Sequence, residues 1–117
     1  MGFDEAVAAH TAWKRKLTQY FKRRDGALSP AEVAVDDQCP LGRWILGTGV
    51  RFANLPEYSV LKHEHARFHS AAADLVRRVN AGEAVMGQVA PGSHSEFSKA
   101  SSGVVLAIMD IKKQVGD

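Results

Sequence analysis

The chain has 117 residues, 45% hydrophobic and 24% charged, the composition of a globular protein with one core and too little length for separate catalytic and regulatory domains. Fifteen Lys and Arg against thirteen Asp and Glu leave a net charge of +2, too small to point to a nucleic-acid surface or a polybasic membrane anchor. No run approaches the roughly 18 apolar residues that span a bilayer, Met1 to Glu5 carry no export signal, and the lone Cys39 excludes an intrachain disulfide, so a cytoplasmic chain without membrane or nucleic-acid partners is predicted.

From Phe3 to Arg24 the apolar positions Phe3, Val7, Leu17 and Phe21 recur at three- and four-residue steps, with His10 on the same face, and this predicts an amphipathic helix ended by Gly26. Ser29-Pro30-Ala31-Glu32 has the form of a capping box with proline at the first helical position, but Asp36-Asp37 follows so soon that only a loop with a helical turn fits. Pro40 opens another short helix carrying Trp44 and Ile45, with Cys39 at its N-cap, and Gly47-Thr48-Gly49 is expected to stop it through a left-handed glycine. Glu57 to Asn80 form a second long helix with Tyr58, Leu61, His65, Phe68, Ala72, Leu75 and Val79 on one face, closed by Asn80-Ala81-Gly82. After a break at Pro91-Gly92, Ser93 and Glu96 form a capping-box pattern opening the last helix, whose Phe97, Val104, Ile108, Ile111 and Val115 face the core. Val105, Leu106 and Met109 widen its apolar surface, which places this helix centrally or against a second subunit, and a homodimer is expected. With no alternating strand pattern, the fold expected is all-α, an antiparallel four-helix-type bundle with additional short helices.

His65 and His69 lie four apart on the predicted inward face with Leu61, Ala72 and Val76, so both imidazoles can reach one metal ion, whereas His63 falls on the outer face. Two core imidazoles side by side need partners for every ring nitrogen, and a shared metal supplies them. His10 takes a core position on the first helix, and Cys39 at a helix N-terminus is expected to favour the thiolate that zinc requires. Read singly, each histidine is a hydrogen-bonded core residue and Cys39 a small buried hydrophobe; together they form a His₃Cys donor set suited to tetrahedral Zn(II). His94 is a rival ligand, but its position just after the Ser93 cap suits an exposed helix start. A closed set of four leaves no position for an activated water, the Glu-x-x-His pairs of a di-iron bundle are missing, and neither a phosphate loop nor a serine nucleophile elbow appears, so no enzyme is expected. Trp13, Trp44 and Phe68 are assigned to packing around the site, and Asp36 or Asp37 to accepting a hydrogen bond from a ligand imidazole.

Four local patterns carry a family resemblance. His10 with Trp13 and Lys14, Cys39-Pro40-Leu41-Gly42-Arg43-Trp44, Gly47-Thr48-Gly49 and His65-Ala66-Arg67-Phe68-His69 together resemble the chemoreceptor zinc-binding (CZB) domain of bacterial signalling proteins, and the similarity covers nearly the whole chain. The resemblance implies one such domain over 1–117, cytoplasmic, with one Zn(II) on His10, Cys39, His65 and His69 and with Cys39 as the labile ligand, a redox switch answering zinc level or an oxidant such as hypochlorous acid. Such domains are usually appended to a chemoreceptor hairpin or a diguanylate cyclase. Neither accompanies this sequence, so the output lies in a partner protein in trans, or in cis if the chain is a fragment; Met1 favours a complete chain. A zinc site that only stabilises the bundle is the competing reading, and an enzyme with an open zinc position is the third.

Overall fold

The structure, a computed structural model, describes residues 2–23, 28–37, 39–90 and 92–116. The elements are α1 (Phe3–Arg23), α2 (Pro30–Ala34), α3 (Pro40–Leu46), a 3-10 turn (Thr48–Phe52), α4 (Pro56–Asn80), α5 (Met86–Val89) and α6 (Glu96–Gln114), with no strand among the described residues. None of these helices is long and apolar enough to cross a membrane.

The long helices form where the 3.6-residue repeat demands them. On α1 the stripe Phe3, Ala6, His10, Leu17 and Phe21 is buried, and Asp4 and Glu5 in the first turn with Lys22 and Arg23 in the last complement the helix dipole. Leu61, His65, Phe68, Ala72, Val76 and Val79 form the corresponding stripe of α4, and Gly82 at φ 93° ends that helix in the left-handed conformation glycine tolerates. The Gly26 stop expected for α1 and the Pro91 before α6 lie outside the described residues.

The chain forms an all-α bundle, as the periodicity predicts. α4 and α6 run antiparallel, with Glu64 against Gly103, the Phe68 and Phe97 rings 4.9 Å apart, and Arg67 paired with Glu96 at 2.8 Å. Asp4 on α1 pairs with Lys112 on α6 at 3.0 Å while Phe21 meets Phe97, so α1 is antiparallel to α6 as well. α1 and α4 therefore run parallel, with Trp13 beside Phe68 and the Tyr20 hydroxyl donating to Asn80 at 2.6 Å, because the crossover through α2 and α3 returns the chain to its starting end. α2 packs on α4 and α3 on α1, closing the fourth side. The Tyr58 hydroxyl donates to the Ile45 carbonyl at 2.8 Å and fastens α3 to α4.

Local chemistry departs from expectation in four places. Ser29 precedes α2, but its side chain makes no capping bond. Gly47 has φ −101° and is not left-handed; a Cβ there would stand 2.8 Å from the Arg43 carbonyl oxygen, so crowding requires the glycine, and the chain continues into the 3-10 turn. The cap of α6 is Ser95, the residue before the first helical position Glu96, whose Oγ accepts from the Ser98 amide at 3.2 Å; Ser93, two residues earlier, donates to the Gln88 carbonyl and accepts from the Ser95 amide. Val115 is exposed past the last turn of α6 and does not join the core.

Candidate metal centre

Three of the four expected donors converge. Cys39 Sγ lies 3.3 Å from His65 Nε2 and 3.4 Å from His69 Nε2, and the two nitrogens are 3.1 Å apart. In a tetrahedral zinc site, bonds of about 2.05 Å to nitrogen and 2.3 Å to sulfur place neighbouring donors about 3.3 to 3.6 Å apart, so this triangle is one face of such a tetrahedron to within a few tenths of an ångström.

Local folding explains the convergence. Four residues on one stripe of α4 set His65 and His69 one turn apart and bury both. Cys39 is carried to them by the N-terminus of α3: Pro40 starts the helix, Cys39 takes the N-cap in extended conformation, and its sulfur accepts from the Gly42 amide at 3.2 Å. Gly42 permits this turn, because a Cβ there would collide with the Asp36 carbonyl and stand 3.1 Å from Asp37 Cα.

His10 reaches the same place from α1. It lines, with Cys39, His65 and His69, a small, partly open cavity of about 10 Å³. It does not belong to the close group of three, and its Nε2 lies 3.0 Å from Ser101 Oγ on α6. Its ring sits edge-on to Phe68 at 4.6 Å, and Trp13 tilts over His69 at 4.8 Å, so both aromatics pack against donor rings. Trp44 lies elsewhere: its ring meets Phe3 at 5.8 Å, Phe52 at 6.3 Å and the Gly49 backbone, at the end of the bundle where α1 begins. His63 and His94 are exposed.

The partner of the His69 ring is neither Asp36 nor Asp37. Nδ1 lies 2.8 Å from the Val33 carbonyl oxygen, which can only accept, so Nδ1 carries the proton and the Nε2 lone pair faces Cys39 and His65. Asp36 stands close enough for its charge to act on both Cys39 and His69, and its carbonyl is 3.8 Å from the sulfur; Asp37 is exposed.

Burial pushes the imidazole pKa values down, that of His10 to about 4, with Lys14 and His69 adding to the shift, and that of His65 to about 3, with His69 and His10 adding. His69 is lowered by burial against the opposing pull of the Val33 bond and Asp36. The Cys39 thiol moves the other way from the expectation drawn from its N-cap. Burial raises its pKa and the Asp36 charge adds to this, outweighing the Gly42 and Leu41 amides that favour the thiolate. Near neutral pH the three rings are thus uncharged and ready to donate lone pairs, and the thiol is protonated.

A family description, chemoreceptor zinc-binding domain (CZB), matches residues 10–76. The chain belongs to this family. The CZB match begins at His10, ends at Val76 and encloses all four expected donors, leaving out α5 and α6. No curated protein and no solved structure matches the chain. The CZB family is zinc-binding, and the Cys39, His65 and His69 cluster could hold a metal ion.

Sequence reasoning missed Val33 and Ser101. A backbone carbonyl has no sequence signature, but Ser101 had one, a hydroxyl on a stripe otherwise made of Phe97, Ala100, Val104, Ile108 and Ile111.

Proposed function

We propose that this chain is a zinc-binding sensory module of bacterial cytoplasmic signalling, not an enzyme, in which His10, Cys39, His65 and His69 hold one Zn(II) and Cys39 is the labile ligand. The observation that carries the reading is the triangle of Cys39 Sγ, His65 Nε2 and His69 Nε2, which matches the face of a tetrahedral zinc site. Bound Zn(II) supplies a positive centre that keeps the sulfur as thiolate at neutral pH.

The donors differ in how firmly the fold holds them. His65 and His69 are on a 25-residue helix packed on both α2 and α6, whereas Cys39 caps a seven-residue helix between loops. Loss of zinc, or oxidation of the sulfur, releases the segment from Cys39 to Thr48 while the long helices stay in place. With hypochlorous acid as oxidant, the sulfur gives up an electron pair, gains the hydroxyl as sulfenic acid, and chloride leaves. On α6, Leu106 is 63% exposed and Met109 38%, an apolar face that supports a homodimer, and the released segment would report to an output protein in trans or an output domain in cis.

Hydrogen exchange tests this reading. Amides from Cys39 to Thr48 should lose protection when zinc is chelated or the thiolate oxidised, with α4 unchanged. Equal protection of that segment in every state would favour a site that only stabilises the bundle.

A further inference from the structure

Ser101 is 4% exposed, on the inward face of α6, and its Oγ lies 3.0 Å from His10 Nε2, a hydrogen bond between two buried side chains. It sits among apolar residues of α6, where a serine adds nothing to packing that alanine would not. The bond has a consequence for the metal site. An imidazole has two nitrogens, and one that binds a metal must present a lone pair while the other carries the proton. With Nε2 at Ser101, Nδ1 is the nitrogen of His10 left for a metal in the cavity it shares with Cys39, His65 and His69; neither ring nitrogen lies within 4.8 Å of all three of those donors, so the ring has to close on them when zinc binds.

We infer that Ser101 is a positioning residue of the metal site, accepting the Nε2 proton of His10 so that Nδ1 becomes the fourth donor. The inference rests on the zinc-binding reading above. It makes the donor set a mixed one, since His69 is held the opposite way, by Nδ1 to the Val33 carbonyl, with Nε2 facing Cys39. Each of these two rings is then aimed by a group on a helix other than its own, Val33 on α2 for His69 and Ser101 on α6 for His10. Ser101 lies beyond the 10–76 match, so this hydrogen bond also ties the donor set to the last helix.

The test is a long-range proton–nitrogen correlation spectrum of the imidazole rings in the unmodified, zinc-loaded chain, with zinc affinity measured by chelator competition for the native chain, Ser101→Ala and Ser101→Thr. The expected spectrum has a metal-bound Nδ1 and a protonated Nε2 at His10, and metal-bound Nε2 at His65 and His69. Ser101→Ala should bind zinc about 10- to 100-fold more weakly, the usual effect of removing a group that orients a ligand, and Ser101→Thr should recover most of the loss. A metal-bound Nε2 at His10 or native affinity in Ser101→Ala would overturn the inference and leave the zinc-binding reading standing; a His10 ring free of metal while the other three residues bind it would overturn the inference and also remove His10 from the proposed donor set, with zinc binding itself retained. Absence of metal from all three rings would overturn both.

Discussion

His69 donates from Nδ1 to the Val33 carbonyl at 2.8 Å while its Nε2 lies 3.4 Å from Cys39 Sγ. One ring thereby joins α2, α4 and the N-terminus of α3, and its tautomer is set by a backbone oxygen that can only accept. The site is prepared by the fold: lone pairs are aimed, imidazoles are neutral, and the one donor that must change protonation state is the thiol.

Zinc binding should therefore release about one proton per chain near pH 7. His10, His65 and His69 are pushed below their ordinary pKa of 6.5 by burial and have no proton to give, whereas Cys39 is pushed up and must lose one to coordinate. Calorimetric titration in buffers of different ionisation enthalpy measures this number. A value near zero would mean a thiolate already formed, and two or more would mean charged imidazoles.

Without metal, the same buried rings make the protein acid-sensitive. His10, with a folded pKa of about 4, and His65, at about 3, take up protons more readily in the unfolded chain, where the value is 6.5. Their contribution to stability is complete above about pH 6.5 and is lost as pH falls through the range down to their folded values, by about 1 kcal/mol per pH unit for each ring. Chemical denaturation of the zinc-free chain should give a clearly lower midpoint at pH 5 than at pH 7.5. Equal midpoints would contradict buried neutral imidazoles.

Gly42→Ala should damage the site although residue 42 donates nothing from its side chain. The added methyl would collide with the Asp36 carbonyl oxygen and stand 2.9 Å from its carbon, and backbone atoms cannot step aside as a side-chain tip can. The Asp36 to Cys39 loop must move, and with it the sulfur that accepts from the Gly42 amide. A loss of about 1–3 kcal/mol in stability and a weaker grip on zinc are expected, read by denaturation and chelator competition. Native values for both would show that the loop is freer than its contacts indicate.

Much of this organisation was legible in the sequence, for physical reasons that also explain the failures. The spacing of Leu61, His65, Phe68 and Ala72 marks one face of a helix whatever its surroundings, so α4 and the inward aim of its histidines follow directly. Pro40 marks a helix start, and Cys39 at the N-cap follows from it. What depends on tertiary contact was not legible. The capping-box spacing points to Ser93, but the helix starts at Glu96 and Ser95 caps it; Gly47 is required by crowding against Arg43 and not by its own φ. The thiol pKa turns on burial, which a helix N-terminus alone does not reveal. Asp36 and Asp37 offered the obvious carboxylates, yet the acceptor for His69 is the main chain of Val33.

The central claim is that Cys39, His65 and His69 form the core of a single zinc site. Native mass spectrometry of the chain purified without added metal, beside Cys39→Ala and the double variant His65→Ala, His69→Ala, tests it most directly. The account predicts one zinc per native chain, weakened retention in Cys39→Ala and none in the double variant. A folded native chain without zinc, or a double variant that keeps it, would contradict the account.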